Sequence, residues 1–311
     1  MARIHFNDNE IKSEGVTILN GRVLRDQGVD RLKTAIVQSG RKPTLAIIQV
    51  GDLAESKAYI EQKRKFAEKI GAGFFHTQFP NDVSQADLEN AIEKLNVDPG
   101  IHGIIVQLPI PESFNKQKVI DTISVSKDTD GLTSENKKLL ESGNSKAVIP
   151  ATARGVLSLL RGYDVSVSGK KVTVIGRSAL VGAPIATLLA REGAEVTVCH
   201  RETNNVPEKS RNAEILIVAV GHPHFVTVEY VSKGQVVVDV GINSVASSTF
   251  KQESVEKLEY EIPKRQLVGD VDFEAVKNIV AAISPVPGGV GPMTVLSLFE
   301  NLIEAAAVDN R

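Results

Sequence analysis

Short apolar runs alternate with longer, helix-like stretches in the first part of the chain. The apolar runs are Thr44–Val50, Gly73–Phe79 and residues 103–107. Their length and the polar segments around them are typical of buried strands. Because strands that alternate with helices pair in parallel, the pattern predicts a parallel sheet with crossover helices.

A second series of apolar runs follows, again separated by helical or loop segments. It consists of Lys171–Ile175, Glu195–Cys199, residues 215–219 and residues 236–240. The series predicts a second α/β unit, so the fold class is α/β with two such units. Residues 127–150, between the two series, contain much Asp, Ser, Gly and Asn and few apolar residues, which is typical of a boundary or an active-site loop.

Proline and glycine separate the second unit from the C-terminal end. Residues 284–292 contain three prolines and three glycines, and this composition predicts that they form no regular element. An apolar helix is expected from about Met293 to Ala307 and is expected to pack on the first unit. We therefore predict one domain of residues 1–149 together with the C-terminal helix 285–311, and a second domain of residues 150–284.

Composition excludes several classes of protein. The chain has 311 residues, 42% hydrophobic and 24% charged, as in a soluble globular protein of about two domains. The 36 Lys and Arg residues against 38 Asp and Glu leave no basic surplus for nucleic acid. One cysteine fits a reducing compartment. Residues 1–8 contain no apolar signal core, and no run reaches the roughly 18 apolar residues of a membrane span. The expectation is a cytoplasmic protein without a membrane partner.

One lysine lies on the apolar face of a predicted helix. Residues 55–71 read as a helix that ends at Gly71. At about 100° per residue, Ser56, Tyr59 and Lys63 share the apolar face, whereas the other charged residues point elsewhere. Lys63 either reaches the surface or forms a buried ion pair, or it is a desolvated amine that accepts protons or acts as a nucleophile. The helix alone leaves these alternatives open.

Polar side chains also follow one of the predicted strands. Gln107 ends the strand at residues 103–107, at the carboxyl edge where parallel sheets bind ligands, although it could equally cap a loop. Asp128 and Asp130 precede Gly131 and indicate either a turn or a carboxylate that holds the amidine-like edge of a heterocycle. Two acids without His or Cys at ligand spacing do not predict a metal site.

The second unit begins with features of a Rossmann-type dinucleotide-binding domain. Gly176 follows the strand Lys171–Ile175, and Gly182 and Pro184 begin the next helix. The glycines would let the backbone approach a pyrophosphate at the N-terminus of that helix. Since the pattern is not G-x-G-x-x-G, a tight turn without a ligand is the alternative. The other candidate cofactor contacts are Ser178, His200, Gly221 and Ile242.

Two arginines indicate which dinucleotide is bound. Arg201 lies just after the strand Glu195–Cys199, where domains that prefer NAD usually carry an acid for the ribose hydroxyls. A guanidinium suits a 2′-phosphate instead, and Arg177 supplies a second one. The prediction is NADP. Glu202 is the opposing feature, since it could compete for Arg201 or contact a ribose.

Six motifs occur in one order along nearly the whole chain. They are Ser56-x-x-Tyr59-x-x-x-Lys63, Val106-Gln107-Leu108-Pro109, Lys127-Asp128-x-Asp130-Gly131, Gly176-Arg177-Ser178-x-x-Val181-Gly182, Asp239-Val240-Gly241-Ile242-Asn243 and Pro285-Val286-Pro287-Gly288-Gly289-Val290-Gly291-Pro292-Met293-Thr294. Together they resemble the bifunctional methylenetetrahydrofolate dehydrogenase/cyclohydrolase family of one-carbon metabolism. The last motif is long and specific.

The resemblance implies a homodimer whose subunits each have two α/β domains flanking a cleft. 5,10-Methylenetetrahydrofolate would bind there, with its pterin held by Asp130 and its rings against Tyr59. NADP on the second domain would accept hydride. Water would then convert the methenyl product to 10-formyltetrahydrofolate, with Lys63 central to the proton transfers and Gln107 assisting. The resemblance places Ser56 and Tyr59 in the same catalytic group. Pro287, Gly288 and Gly289 would line the folate side.

The chain departs from the family at one place. Family members commonly have Cys-Thr-Pro where this chain has Ala151-Thr152-Ala153, at the start of a helix that links the domains. We expect this change to shift binding geometry or rate without abolishing activity, because neither replaced residue carries protons or charge in the proposed steps.

Three other functions are compatible with these residues. One is a monofunctional dehydrogenase, which the presence of both Lys63 and Gln107 disfavours. The second is a nucleotide-sensing protein that keeps the fold without turnover. The third is a Schiff-base enzyme that uses Lys63. Formate ligation is not expected, because the sequence has no P-loop and the family's ligase is a separate domain.

Overall fold

The computed structural model describes residues 12–13, 15–246 and 265–308. Residues 1–8, which contain no apolar signal core, lie outside the described residues. The same holds for residues 9–11 and 14 of the predicted first domain, for residues 247–264 of the second, and for residues 309–311 of the predicted C-terminal helix.

The elements alternate between strands and helices as the sequence predicts. The strands are β1 Lys12–Ser13, β2 Val16–Ile18, β3 Thr44–Val50, β4 Gly73–Phe79, β5 Gly103–Val106, β6 Lys171–Ile175, β7 Glu195–Cys199, β8 Ile215–Val218, β9 Val236–Asp239, β10 Asn243–Ala246, β11 Arg265–Val268 and β12 Ala282–Ile283. The helices are α1 Gly21–Ser39, α2 Ala54–Ile70, α3 Gln85–Val97, α4 Lys116–Asp121, α5 Ser134–Glu141, α6 Ala151–Gly162, α7 Gly182–Arg191, α8 Val206–Arg211, α9 Phe273–Val276 and α10 Val290–Val308.

The first sheet has the order β4-β3-β5, and all its strands are parallel. The α/β prediction is confirmed here, with β3 and β4 at the predicted bounds and β5 one residue shorter. Helix α2 crosses from β3 to β4 and ends at Gly71, whose φ of 84° lies in the left-handed region that glycine adopts without strain. The apolar face of α2 is buried through Ile60, Phe66 and Ile70.

The second sheet contains the four strands of the second predicted series. Its order is β1-β2-β12-β9-β8-β6-β7, with every pair parallel except β1–β2. The order reverses between β6 and β8, and open sheets bind ligands at such a switch point, beyond the carboxyl ends of the strands. Strand β2, from the N-terminal part of the chain, belongs to this sheet rather than to the first.

The C-terminal helix begins earlier than predicted. Residues 284–292 were expected to form no regular element, but α10 starts at Val290 and includes Pro292. A proline is tolerated there because the first-turn N–H groups of a helix have no intrahelical partner. Helix α10 packs against α1 and α6, and the ring of Phe299 lies 5.3 Å from that of Phe66 in the first unit. Helix α10 thus contacts α1 of the first predicted domain and α6 of the second, and its assignment to the first domain stays a prediction.

The polar segment between the two units is partly helical. Residues 127–150 contain α5, where Thr133 caps the N-terminus by accepting a hydrogen bond from the backbone N–H of Asn136. Helix α6 starts at Ala151, so the departure from the family motif leaves the helix start in place. The division at residues 149 and 150 stays a prediction. No helix within the described ranges has both the length and the apolar content of a membrane span.

Candidate active site

A cavity of about 700 Å³ lies between the two sheets. Helix α2 lines one side of it with Tyr59 and Lys63, and Gln107 follows β5 at the base. Residues 285–292 and Ile242 close the opposite side. The cavity thus brings together residues from five of the six sequence motifs, including residues more than 200 positions apart.

Lys63 and Gln107 form a hydrogen bond at the inner end of this cavity. The Lys63 ammonium donates to Gln107 Oε1 at 2.7 Å, and Gln107 Nε2 donates to the carbonyl of Leu108 at 2.8 Å. The backbone N–H of Gln107 donates to Ile48 in β3, which fixes the residue at the carboxyl edge of the sheet. Because both amide atoms of Gln107 are used, its orientation is set and Lys63 is directed into the cavity.

Burial and a nearby carboxylate act on Lys63 in opposite directions. Burial lowers the pKa of Lys63, and the negative charge of Asp130 raises it in part. For Asp130, burial raises the pKa to about 6, the charge of Lys63 lowers it and Asp128 raises it. Both groups therefore titrate closer to neutrality than they would in water, which suits proton transfer.

The two acids of the Lys127–Gly131 motif have different surroundings. Asp128 is buried and accepts hydrogen bonds from the backbone N–H groups of Leu132 and Thr133 and from Asn136 Nδ2. It therefore stabilises the turn. Asp130 is close enough to Lys63 to change its pKa, but it is not among the residues that line the cavity in the described structure.

Tyr59 and Ser56 begin the same face of α2. The Tyr59 hydroxyl is buried and has no hydrogen-bond partner in the described part of the chain, and burial followed by the charge of Glu55 raises its pKa. A buried hydroxyl without a partner is costly, so a ligand that hydrogen-bonds to it would be favoured. Ser56 is buried one turn earlier and does not line the cavity.

The Pro- and Gly-rich segment forms the wall opposite α2. Pro287, Gly288 and Gly289 line the cavity as predicted for the folate side. The backbone N–H of Gly21 donates to the carbonyl of Gly288, where φ is +125° and a side chain would be strained. This contact holds the wall against the N-terminus of α1.

The predicted dinucleotide turn lies at the switch point of the second sheet. A Cβ atom at Gly176 would lie 2.1 Å from the carbonyl oxygen of Ala219, and one at Gly182 would lie 2.1 Å from that of Gly176. Neither position has room for a side chain. The Ser178 hydroxyl accepts a hydrogen bond from the N–H of Gly182 at the start of α7. The turn is therefore tightly packed backbone that leads into the N-terminus of α7, as expected where a dinucleotide-binding helix begins.

The two predicted phosphate-binding arginines lie near one acid. Arg177 is 3.4 Å from His200 Nε2 and 3.4 Å from Glu202 Oε2, and Arg201 is 3.7 Å from Glu202. All three charged side chains are largely exposed, with Arg201 at 88%. Exposed ion pairs of this kind contribute little free energy, so both guanidiniums can leave Glu202 and bind a phosphate at little cost.

Two buried acids hold the loops after β8 and β9, and the sequence analysis assigns neither of them a role. Asp270 accepts hydrogen bonds from the N–H groups of Val220, Gly221 and His222, three consecutive residues after β8. It thereby fixes the loop that carries Gly221, a predicted cofactor contact. Asp239 at the end of β9 accepts from the N–H of Asp270.

Asp239 differs from Asp270 in that it also lines the cavity. It accepts from the N–H groups of Gly241 and Val271 as well, at 2.9 Å each. Burial raises its pKa to about 7, against the lowering effect of these backbone hydrogen bonds. The sequence signal that could have identified Asp239 as a site residue is its position as a polar residue at the end of an apolar strand. Asp270 lies outside any periodic pattern, so the sequence carries no comparable signal for it.

Two family models match this chain. The model described as "Tetrahydrofolate dehydrogenase/cyclohydrolase, catalytic domain" matches residues 19–130. The model described as "Tetrahydrofolate dehydrogenase/cyclohydrolase, NAD(P)-binding domain" matches residues 150–310. Together the two models cover most of the chain and correspond to its two sheets.

Individual proteins are similar over nearly the same length. The "Bifunctional protein FolD" of Anoxybacillus flavithermus is 40% identical over 93% of this chain and 97% of its own length. The mitochondrial C-1-tetrahydrofolate synthase of Schizosaccharomyces pombe is 39% identical over 95% of this chain, and the chain spans about 30% of that longer protein. A Trypanosoma brucei methylenetetrahydrofolate dehydrogenase-cyclohydrolase, solved with NADP and an inhibitor, superposes with a TM-score of 0.87 at 34% identity, covering 95% of this chain and 99% of that chain.

Proposed function

The chain belongs to the tetrahydrofolate dehydrogenase/cyclohydrolase family, and on that premise we propose that it carries both activities. The first oxidises 5,10-methylenetetrahydrofolate to the 5,10-methenyl cation with NADP, and the second hydrolyses that cation to 10-formyltetrahydrofolate. The observation that supports the proposal most directly is the 2.7 Å hydrogen bond between Lys63 and Gln107 inside the cavity between the two sheets.

In the hydrolysis, a water molecule adds to the carbon of the methenyl cation and loses a proton. The neutral amine of Lys63, favoured by burial, accepts that proton, and Gln107 holds the amine in position through Oε1. Lys63 then returns a proton to the nitrogen that leaves when the ring opens. The overall step consumes one water molecule and releases one proton to solvent.

Other residues of the chain position the substrate. The Asp130 carboxylate would accept two hydrogen bonds from the amidine edge of the pterin, although its pKa of about 6 leaves a protonated fraction near neutrality. The Tyr59 hydroxyl would gain the partner that it lacks, and Pro287, Gly288 and Gly289 would form the opposite wall. Ser56 is buried one turn before Tyr59 on α2, and its proposed role is to support the position of Tyr59 and Lys63.

NADP is the proposed cofactor, and its nicotinamide supplies the hydride acceptor when it is bound. Gly176, Ser178 and Gly182 would hold the pyrophosphate at the N-terminus of α7. Arg177, Arg201 and His200 would surround the 2′-phosphate. Gly221 and Ile242 would border the nicotinamide, and Ile242 is exposed at the cavity surface. The role of the glycine turn is supported by the lack of room for side chains at Gly176 and Gly182, and that of Arg177 and His200 by the 3.4 Å between their side chains.

Two further parts of the proposal rest on the resemblance to the family. They are a homodimer and a location in the cytoplasm, with the folate as the small-molecule partner. Light scattering of the purified protein at several concentrations tests the first, and a monomer at all of them would contradict it. Fractionation of the source cells tests the second.

A coupled assay with each cofactor tests the proposed function. Reduced nicotinamide should form from methylenetetrahydrofolate, and methenyltetrahydrofolate should be hydrolysed without any cofactor. We expect kcat/KM for NADP to exceed that for NAD by at least about tenfold, and Arg201→Ser with Arg177→Ser to remove most of this difference. Arg161→Ser, on the surface beside Glu192, is the matched control. A preference for NAD would contradict the cofactor assignment, and absence of both reactions would contradict the function.

A further inference from the structure

The turn after β7 carries an acid to which the proposed chemistry gives no role. Residues 200–203 form this turn, and the backbone N–H of Thr203 donates to the carbonyl of His200 at 2.8 Å. The N–H of His200 donates to Thr203 Oγ1 at 3.0 Å, and the N–H of Glu202 donates to His200 Nδ1 at 3.3 Å. These three hydrogen bonds fix the backbone at Glu202, whereas its side chain is 62% exposed.

This turn is held against the glycine turn of the proposed dinucleotide site. The backbone N–H of Gly176 donates to the carbonyl of Cys199 at 2.8 Å, and β6 and β7 are parallel neighbours. Arg177 follows Gly176 directly, so its side chain reaches the turn after β7 at the carboxyl edge of the sheet. Sheets of this type bind the adenosine ribose of a dinucleotide at that place.

The Glu202 carboxylate contacts both of the guanidiniums proposed for the 2′-phosphate. Glu202 Oε2 is 3.4 Å from Arg177 Nη2, and Oε1 is 3.7 Å from Arg201 Nε. Within the described ranges, no other carboxylate forms an ion pair with either arginine. One oxygen thus faces each arginine, as in a bound phosphate, and a 2′-phosphate has to displace the carboxylate before both arginines can bind it.

The spacing of Glu202 matches that of an acid that binds ribose hydroxyls. Glu202 follows Gly182 by 20 residues, and dinucleotide-binding domains that use NAD place their acid about 20 residues after the glycine motif. An ionised carboxylate accepts hydrogen bonds from the 2′- and 3′-hydroxyls of NAD, and it repels the negative charge of a 2′-phosphate. The same turn therefore carries a group that suits each cofactor.

From this arrangement we propose that Glu202 is a specificity-determining residue that binds the ribose hydroxyls of NAD, so that the enzyme uses NAD as a second cofactor beside NADP. The inference rests on the proposed function, since it concerns the dinucleotide of that reaction. When NAD binds, Arg177 and Arg201 keep the carboxylate in place for the hydroxyls. When NADP binds, both arginines turn to the 2′-phosphate and Glu202 moves to solvent. Glu202 thereby reduces the preference for NADP without reversing it.

Binding of two cofactor fragments tests the inference without any turnover. ADP-ribose has a free 2′-hydroxyl on its adenosine ribose, 2′-phospho-ADP-ribose carries a phosphate there, and titration calorimetry gives Kd for each. Since each exposed ion pair accounts for about a 1.5- to fivefold change, Glu202→Gln should lower Kd for the phosphorylated ligand by about three- to tenfold. Kd for ADP-ribose should rise by about three- to tenfold, because an amide is a weaker acceptor than a carboxylate. In about 0.5 M salt, where the Debye length is about 4 Å, the first change should shrink and the second should persist.

A second glutamate near this turn in sequence supplies the matched control. Glu195 is exposed and begins β7, at the opposite end of the strand from the turn. Glu195→Gln changes the net charge by the same amount and should leave both Kd values as in the parent protein. In steady-state assays the parent should turn over with NAD, and Glu202→Gln should raise the ratio of kcat/KM for NADP to that for NAD by about tenfold or more. The change should lie in KM, because the adenosine ribose is at the far end of the dinucleotide from the transferred hydride.

The outcomes separate this inference from the proposed function. Unchanged Kd values in Glu202→Gln, or a parent enzyme that does not use NAD, would overturn the role of Glu202 and leave the enzyme assignment standing. Weaker binding of 2′-phospho-ADP-ribose by the variant would also overturn it, by showing that Glu202 positions the arginines for the phosphate. No turnover with either cofactor would contradict the proposed function, while the two Kd values would still decide the role of Glu202.

Discussion

Two buried groups of ionisable residues flank the same cavity, and they differ in how far their hydrogen bonds are satisfied. Around Lys63, the amine has one close partner in Gln107, and the Tyr59 hydroxyl has none in the described structure. Around Asp239 and Asp270, the four carboxylate oxygens accept seven hydrogen bonds, six of them from backbone N–H groups.

The difference separates a group that transfers protons from a group that holds backbone. An amine with few partners and a lowered pKa can lose and regain a proton at little cost. A carboxylate that accepts several N–H groups keeps those groups in place, and any change of it leaves donors unpaired. Substitutions in the first group should therefore change rates, whereas substitutions in the second should change stability and cofactor binding.

The largest effect is expected at Lys63. Lys63→Met keeps the length of the side chain and removes the proton acceptor, so hydrolysis of methenyltetrahydrofolate should fall by about 10²–10⁴-fold. Hydride transfer to NADP should fall far less, because it requires no proton at this amine. The two rates are measured separately by the disappearance of methenyl absorbance and the appearance of reduced nicotinamide. Lys57→Met on the same helix is the control, and equal losses in both reactions would refute the assigned role.

The next effect is expected at Asp270. Asp270→Asn replaces one carboxylate oxygen by an amide that cannot accept, so two backbone N–H groups lose their acceptor. The cost is about 2–4 kcal/mol in the free energy of unfolding, visible as a decrease of several degrees in Tm. KM for NADP should also rise, because the loop with Gly221 is no longer held. Asp164→Asn, at an exposed position, should do neither. An unchanged Tm for Asp270→Asn would remove the contrast between the two groups.

The smallest effect concerns the pH dependence of hydrolysis. The neutral amine of Lys63 is the active form, so the rate should rise with pH through the pKa of Lys63. The charge of Asp130 raises that pKa, and Asp130→Asn removes the charge. The rising limb of the pH–rate profile should therefore move to lower pH. A move to higher pH, or none, would show that the two side chains are not coupled.

The same variant has an independent readout in stability. Asp130 has a native pKa of about 6 against 3.8 for the free group, so the native state binds more protons between these pH values. The contribution of Asp130 to the free energy of unfolding should thus decrease as pH rises from about 4 to 6. Asp130→Asn lacks this decrease, and urea titrations at several pH values measure it.

Much of the fold was predictable because the strands are continuous apolar runs. Strands β3, β4, β6 and β7 lie at their predicted bounds, and α2 ends at the predicted glycine. Strand β2 was missed because three residues are too few for a periodic pattern, and its pairing with β12 links segments about 265 residues apart. The start of α10 was misplaced because prolines and glycines in a first helical turn resemble a loop in sequence.

The candidate site was predictable where a charged or polar residue occupies a position that the hydrophobic pattern reserves for an apolar one. Lys63 drew attention as a cation on an apolar face, and the structure places it beside Gln107, which was predicted from a different motif. The contacts of Asp270 could not be predicted, because they are made to backbone groups of a distant loop. The neighbourhood of Glu202 and Arg177 likewise depends on how two turns meet at the edge of the sheet.

The pairing of β2 with β12 has a consequence for dissecting the protein. Because Val16–Ile18 completes the sheet of the second unit, an excised fragment of residues 150–284 would expose the bare edge of β12. Uncovered strand edges recruit other chains, so such a fragment should aggregate, and joining residues 12–20 to it through a linker should restore solubility. Strand β2, from the N-terminal end of the chain, completes the second sheet, and helix α10, from the C-terminal end, packs on α1. Each end of the chain thus supports structure formed mainly by residues from the other.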